Sequence, residues 1–494
     1  MFSQNVETEK INNIPDTLVS NVLTDTPSHP LAKTVDSLLN HPITWKNYRN
    51  AASNFIGVNL GVWAFDRYVL NEDFARINCE TMRYNLTHAP VWDTDKFATN
   101  LLMHPYHGSI YFNGARLNGF NFYQSAPFTL AGSLMWEFFM ENEPASINDL
   151  IATTVGGSAL GEVNFRFSDA ILNNSATGFN RFIREFTAGL LSPARFVERL
   201  ESGKLWKKRA EKGNLERLTP IHIGLNLGYR LNYRKEDFYL KGISLTTDVD
   251  YGNIFENDIE KPYDWFQLRF QLDFIKSNTY LSHVNLIGIV HKGDEFENKK
   301  VKVNLGLFQH FDYYKSHIKM ENGEYITPYY ISEVAAAGPG LLFETKGSGI
   351  KVNGKLFLNA ILLGASKSDY IKIDNRDYNM GSGFSFKFHN QYILSKHWAL
   401  VFNIEHYFIS TWKGASENVE YKDLTKEEWQ YLNMQGDKSK ARLNVVELNF
   451  RYQITPSLYL DINSNHFIRH TKYKYLPKVQ YNSFENFLSL GMKL

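Results

Sequence analysis

The stretch Pro220-Ile221-His222-Ile223-Gly224-Leu225-Asn226-Leu227-Gly228-Tyr229-Arg230 decides the fold. Ile221, Ile223, Leu225, Leu227 and Tyr229 share one side of an extended backbone, and His222, Gly224, Asn226, Gly228 and Arg230 share the other. Successive side chains of a strand point to opposite faces, so this alternation marks one apolar and one polar face. Upstream of Pro220 apolar residues recur at helical spacing instead. The period therefore changes from about 3.6 to 2 at this proline.

The same alternation returns downstream. Val301, Val303, Leu305 and Leu307 oppose Lys302, Asn304 and Gly306; Phe384, Phe386 and Phe388 oppose Ser385 and Lys387. Val446, Leu448, Phe450 and Tyr452 oppose Glu447, Asn449 and Arg451. Runs of about 10–14 residues suit strands tilted through a hydrocarbon layer. The pattern predicts about twelve, an even number that leaves both termini on one side of a membrane. They start near residues 221, 237, 263, 279, 301, 329, 351, 383, 397, 442, 457 and 485. Short turns such as Thr455-Pro456-Ser457 and Ser395-Lys396-His397 alternate with long polar loops, of which Trp412 to Lys440 is the longest and is expected outside the cell. The chain closes with Leu488, Leu490, Met492 and Leu494 alternating with Ser489, Gly491 and Lys493, like the last strand of an outer-membrane barrel without its usual final aromatic.

Composition agrees. Aromatic residues make up 15% of the 494 residues, with 28 Tyr and 36 Phe, yet mean hydropathy is −0.35. A barrel combines the two because lipid-facing and lumen-facing residues alternate and rings gather at the interfaces. No uncharged apolar run reaches the ~18 residues of a transmembrane helix. Charge is balanced, 53 basic against 52 acidic, so no basic excess points to nucleic acid. Cys79 is the sole cysteine, which rules out an intrachain disulfide or a multi-thiolate metal site. Met1-Phe2-Ser3-Gln4-Asn5 resembles the end of a signal peptide, so a mature or truncated start is expected.

The expected architecture is an α+β membrane protein: an N-terminal all-α domain followed by an antiparallel transmembrane β-barrel of about 12 strands. Residues 1–40 form a polar leader, 41–212 a helical domain standing in the periplasm or plugging the barrel, and 213–494 the barrel. Thr44 is the expected N-cap of a first helix reaching Leu70, with Gly57 and Gly61 spaced for a close helix approach. A second runs from about Thr94 to Met103 and stops at Pro105, and a third from Phe128 to Asn142. Ser146 and Asp149 cap a fourth. A fifth spans Asp169 to Leu191, followed by a basic amphipathic segment from Pro193 to Lys212 suited to the barrel rim or the membrane surface.

Polar residues crowd the helical faces: Asp93, Asn100, His104, His107, Tyr111, Arg116, Glu137, Glu141, Asp149, Thr153 and Glu162. In order along the chain stand His104-Pro105-Tyr106-His107-Gly108, Ala115-Arg116, Gly132-Ser133, Trp136-Glu137, Pro144, Ser146, Asp149, Gly156-Gly157 and Gly161-Glu162. Over roughly residues 85–195 this series resembles an uncharacterised domain-of-unknown-function family (DUF3943-like) of outer-membrane proteins in Bacteroidetes-type bacteria. The resemblance implies an envelope location and supplies no activity, substrate or catalytic residue.

Three readings stand. His104, His107, Glu137 and Glu141 are the catalytic and metal-ligand candidates, since two imidazoles and two carboxylates can hold a divalent cation with a position left for water. Glu137 and Glu141 lie one helical turn apart, but Pro105 is expected to break the alignment of the histidines, and no H-E-x-x-H motif occurs. Asp93, Asn100, Arg116, Asp149 and Glu162 instead suit a structural polar network, with Arg116 paired to Glu137 or Asp149. Third, the helices form a plug or lid in or below the lumen. Ser133 and Ser158 lack a nucleophile elbow and read as small residues at helix contacts. His222, His310, Glu405 and Asp461 are expected to face the lumen. The functional expectation is an outer-membrane protein of a Gram-negative bacterium, in contact with outer-membrane lipids, whose helices support passage or binding of a small-molecule or lipidic ligand. The alternative is an outer-membrane hydrolase of lipid or envelope polymer, metal-dependent in one version. No other cofactor is indicated, and nucleic acid is not a partner.

Overall fold

The computed structural model describes residues 47–93, 95–207, 219–234, 237–256, 259–274, 281–316, 318–319, 325–347, 349–371, 376–416, 425, 428 and 433–494. The leader, Thr44, the segment 208–212 and much of the loop from Trp412 to Lys440 lie outside them.

Strands follow where the alternation predicts. They are β1 Ile221–Arg234, β2 Asp237–Tyr251, β3 Phe266–Phe274, β4 Leu281–Glu297, β5 Val301–Lys315, a two-stranded hairpin β6 Ile318–Lys319 and β7 Tyr325–Ile326, then β8 Tyr330–Thr345 and β9 Lys351–Lys367. After these come β10 Tyr378–Ile393, β11 Trp398–Thr411, β12 Ser439–Gln453, β13 Leu458–Tyr473 and β14 Val479–Lys493. All but β6 and β7 close into one antiparallel barrel of twelve strands, sealed by β1 against β14 with Leu227 opposite Leu490. The largest offsets from expectation fall at β10 and β14, which begin several residues earlier than the apolar alternation does.

Contacts between strands that are not neighbours identify the inner face. Arg269 of β3 meets Glu447 of β12 at 3.0 Å, and Tyr314 of β5 donates to Glu405 of β11 at 2.8 Å. Lys387 of β10 pairs with Asp312 of β5 and, at 2.5 Å, with Glu333 of β8. The first two contacts, between strands four or more apart, can only cross the lumen, so the polar face points inward, His310 and Glu405 included. Leu268 and Phe270, flanking Arg269, and Phe311 and Tyr313, flanking Asp312, then point outward.

Those outward residues are not in lipid. They cluster with Trp92, Phe97, Leu101, Phe112, Phe122, Ala159 and Val163 of the helical region, and Phe311 and Tyr313 are only 0% and 2% exposed. The footprint follows one hydrogen-bond row across the strands: Ile223 opposite Val249, Val249 opposite Leu268, Leu268 opposite Leu286 and Leu286 opposite Phe311. It continues to Val334, Ala365 and Met380. Because β1 and β10 begin at opposite rims, the covered band climbs from one rim to the other, as strand tilt requires. The expected plug or lid is thus corrected: the helices clad the outer wall. The wall from β11 to β14 keeps a bare apolar surface, with Phe450, Ile462 and Leu488 at 44%, 58% and 55% exposure.

The cladding comprises α1 Tyr48–Phe65, α2 Cys79–Thr87, α3 His104–Leu117, α4 Phe122–Phe139, α5 Ile147–Ile151, α6 Gly157–Ile171, α7 Gly178–Leu191 and α8 Pro193–Glu201. Asn47 caps α1 by accepting from Asn50 N–H at 3.0 Å. The chain does not stop at Pro105. A π-helical turn, Thr99–Met103, runs into α3; the wider turn makes room for a proline ring that would otherwise meet the carbonyl four residues back. α4 starts before Phe128 because Asn121 and Gln124 form a capping box. The expected fifth helix is two, α6 and α7, since the Asn173 side chain accepts from Ser175 and Ala176 N–H at 2.8 and 2.9 Å and turns the chain. α2 had no sequence signal that stood out. Among the described residues no helix is long and apolar enough to cross a membrane.

Candidate functional site in the helical layer

α3 crosses α6 at two glycines. A Cβ on Gly157 would lie 2.7 Å from Gly108 Cα, and one on Gly108 would lie 2.0 Å from the Thr153 carbonyl oxygen. By contrast nothing approaches Gly57 or Gly61 within 4 Å, so their expected role in helix packing is not realised. The close crossing brings α3 and the π-helical turn Ala152–Gly156 against α4. His104, His107 and Tyr111 from α3, Ser133, Trp136 and Glu137 from α4, and Thr153 line one narrow gap there, too tight to admit a water. The two histidines share a helix face despite Pro105, contrary to expectation.

Below the gap lies an acidic cluster. His104 Nε2 stands 3.5 Å from Asp149 Oδ1. The Asn148 amide donates to Asp93 and to Asp149, both at 2.9 Å, and its oxygen accepts from Asp93 N–H at 3.1 Å and Ser146 Oγ–H at 2.9 Å. Asn100 donates to Asp93 at 2.6 Å and to the Tyr378 hydroxyl of β10 at 2.7 Å, tying the cluster to the barrel wall. Ser146 N–H donates to Glu137 Oε2 at 2.7 Å, and Trp136 Nε1–H to Glu141 Oε2 at 3.1 Å. Tyr111 donates its proton to Asn59 Oδ1. His107 Nε2, 2.9 Å from the same hydroxyl, must then be the donor to it.

Burial, with the neighbouring Asp149 charge, pushes Asp93 up to about 8. Burial also lifts Glu137 to about 8 against the Ser146 hydrogen bond, and raises Asp149 and Glu141 well above the carboxylate range, helped by Glu137. His107 falls to about 3, by burial and then by His104; His104 is lowered by burial against the pull of Asp93. The cluster favours neutral forms unless a cation shares it.

The sequence-predicted residues divide into two groups. Asp93, Asn100, His104 and Asp149 meet, with Glu137 and Glu141 beside them and His107 turned to Tyr111. Arg116 and Glu162 form a separate network: Arg116 grips Glu162 through two bonds of 2.7 and 3.0 Å rather than Glu137 or Asp149. Glu162 also accepts from Arg166 at 2.8 Å, and Arg166 reaches Asp264 between β2 and β3 at 2.9 Å. Glu162→Gln is expected to cost about 1–3 kcal/mol by leaving buried guanidinium donors unmatched, read as earlier denaturant unfolding. An unchanged midpoint would contradict it. Asn59, Ser133, Trp136 and Asn148 escaped the sequence reading as site residues; Ser133 and Trp136 stood only in the ordered motif series, and Asn59 was a polar residue within the run Ile56 to Trp63.

Fold and site together define a class: a twelve-stranded β-barrel of the outer-membrane type bearing a helical layer with a buried His-carboxyl cluster. Residues 89–194, which hold most of that cluster, match the family described as Domain of unknown function (DUF3943), bearing out the resemblance drawn from the ordered motifs. Among solved structures the chain is similar to the NanC porin, at 12% identity over 53% of this chain and 98% of that one, with a TM-score of 0.26. An outer membrane channel from Pseudomonas putida F1 gives 10% identity, 56% and 95% coverage and a TM-score of 0.28. The DcaP channel of Acinetobacter baumannii gives 8%, 56%, 97% and 0.22. Comparison with curated proteins returns no match.

Proposed function

We propose that this protein binds a lipidic molecule at the helical layer on the outside of the barrel and does not conduct solutes through the lumen. The observation that carries the reading is the position of the helical layer, seated on the wall that barrels normally turn to lipid and itself apolar on its outer side. The layer's own outer side supports it: Leu130 and Leu134 of α4 and Phe179, Phe182, Phe186 and Leu190 of α7 are exposed, so an apolar surface continues over the cladding. Side chains crowd the lumen, which disfavours passage. Arg269 of β3 reaches Glu447 of β12 and Tyr314 of β5 reaches Glu405 of β11 across it. On one side Lys387, Asp312 and Glu333 are packed with side chains no more than 1% exposed.

Planar-bilayer recording of the purified protein is expected to show no steady unitary conductance. Native mass spectrometry from mild detergent is expected to retain a lipid. Stable channel openings without retained lipid would overturn the proposal. The hydrolase alternative rests on the same cluster and turns on whether it holds a cation.

A further inference from the structure

Four carboxyl groups, those of Asp93, Glu137, Glu141 and Asp149, gather within the helical layer, and among the described residues none of them meets a lysine or arginine. Asp93 is held by two asparagine amides, Glu137 by a backbone N–H and Glu141 by an indole N–H. The carboxyls also hydrogen-bond in pairs, Asp93 with Asp149 and Glu137 with Glu141. The basic groups at hand are the imidazoles of His104, 3.5 Å from Asp149, and of His107, which is turned to Tyr111. Buried carboxylates without a counter-charge are costly, and proteins resolve the cost with protons, a paired base or a metal ion.

We infer that His104, Glu137 and Asp149 hold a divalent cation of the zinc class, a conclusion that goes beyond lipid binding and does not depend on it. Each side chain offers one ligand atom, and the three atoms lie within 4.8 Å of one another. Around a tetrahedral ion with bonds of about 2.0–2.2 Å, ligand atoms stand about 3.3–3.6 Å apart. His104 Nε2 and Asp149 Oδ1, 3.5 Å apart, already have that separation, so small side-chain rotations bring Glu137 in. The ligands come from three elements: the start of α3, the end of α4 and the first turn of α5. Two of them are already oriented from outside, Glu137 by Ser146 N–H and Asp149 by the Asn148 amide, as metal-binding carboxylates usually are. One nitrogen and two carboxylate oxygens leave the fourth position of zinc open.

A second observation points to what occupies that position. The Ser133 hydroxyl is 1% exposed, lines the same gap as His104 and Glu137, and has no hydrogen-bond partner. Buried hydroxyls are seldom left so. A ligand oxygen on the ion gives it one, for which the side chains around the gap must part, since it admits no water as it stands. The expectation drawn from sequence, His104, His107, Glu137 and Glu141, is thereby revised: Asp149 enters, while His107 is engaged by Tyr111 and Glu141 by Trp136.

The test uses the full chain, folded in detergent, stripped with a chelator and then given Zn²⁺ or Co²⁺. Elemental analysis is expected to find about one equivalent of zinc per chain, and cobalt to give the visible absorption of a low-coordinate site. His104→Ala, Glu137→Gln and Asp149→Asn are expected to weaken metal binding by at least about tenfold, with heat-modifiable gel migration confirming a folded barrel in each. Asp149→Asn and Glu137→Gln nearly preserve shape, so their loss of metal is not a loss of fold. A folded wild-type protein that takes up no metal would overturn the inference. So would variants that bind as much as the wild type, since the metal would then be adventitious.

Discussion

Gly157→Val is expected to free the helical layer from its packed state while leaving the barrel closed. A Cβ at this position meets Gly108 Cα at 2.7 Å and the Gly108 carbonyl carbon at 2.8 Å. Both are backbone atoms, so no rotamer change can relieve the clash. Ordinary overpacking costs about 1–3 kcal/mol, and a clash with backbone belongs at or above the top of that range. The damage spreads because α3 and α6 carry both polar networks: His104 and Arg116 stand on one, Glu162 on the other. Limited proteolysis is expected to cut the variant between α6 and α8 under conditions that spare the wild type, while the barrel fragment keeps its heat-modifiable migration. Protection equal to wild type would contradict the close crossing.

Lys387→Met is expected to destabilise the barrel itself by about 3–5 kcal/mol, the usual result of stranding the partners of a buried ion pair. Lys387 sits between Asp312 and Glu333, and none of the three side chains is more than 1% exposed. The Tyr407 hydroxyl also donates to Asp312, fastening the same group to β11. Guanidinium unfolding in lipid vesicles is the measurement. Neutralising both partners along with the lysine, as Lys387→Met with Asp312→Asn and Glu333→Gln, is expected to recover most of the loss. If the triple variant unfolds as early as the single one, shape rather than stranded charge is responsible.

The barrel was legible because each strand repeats the same two-residue rule over a dozen residues, and errors at one end do not propagate. The ends of β10 and β14 were misjudged where the apolar alternation begins later than the hydrogen bonding. Helices were harder. Pro105 reads as a stop in any local sense, and only the π-helical turn before it, set by packing, lets α3 continue. Arg116 was recognised as a network residue, but its partner lies 46 positions downstream, and nothing in the spacing prefers Glu162 to Glu137. Asp149 illustrates the same limit at the site. Its place three residues after Ser146 predicts a capping box, of which only half forms: Asp149 N–H donates to Ser146 Oγ, while Ser146 N–H goes to Glu137. That local reading hides its position 3.5 Å from His104.

From the sequence alone it follows that this chain has a helical part and a barrel of about twelve strands, with a polar and an apolar face on every strand and a store of carboxyls and histidines among the helices. Periodicity suffices for that, because it reports which side chains share a face. What covers each face was decided only by the tertiary structure. An apolar residue such as Leu268 or Phe311 is satisfied equally by lipid tails or by the apolar side of a helix, so hydropathy cannot tell a bare wall from a clad one. The helices lie on the outside of the barrel, against one part of its apolar wall, while the lumen holds the barrel's own ion pairs.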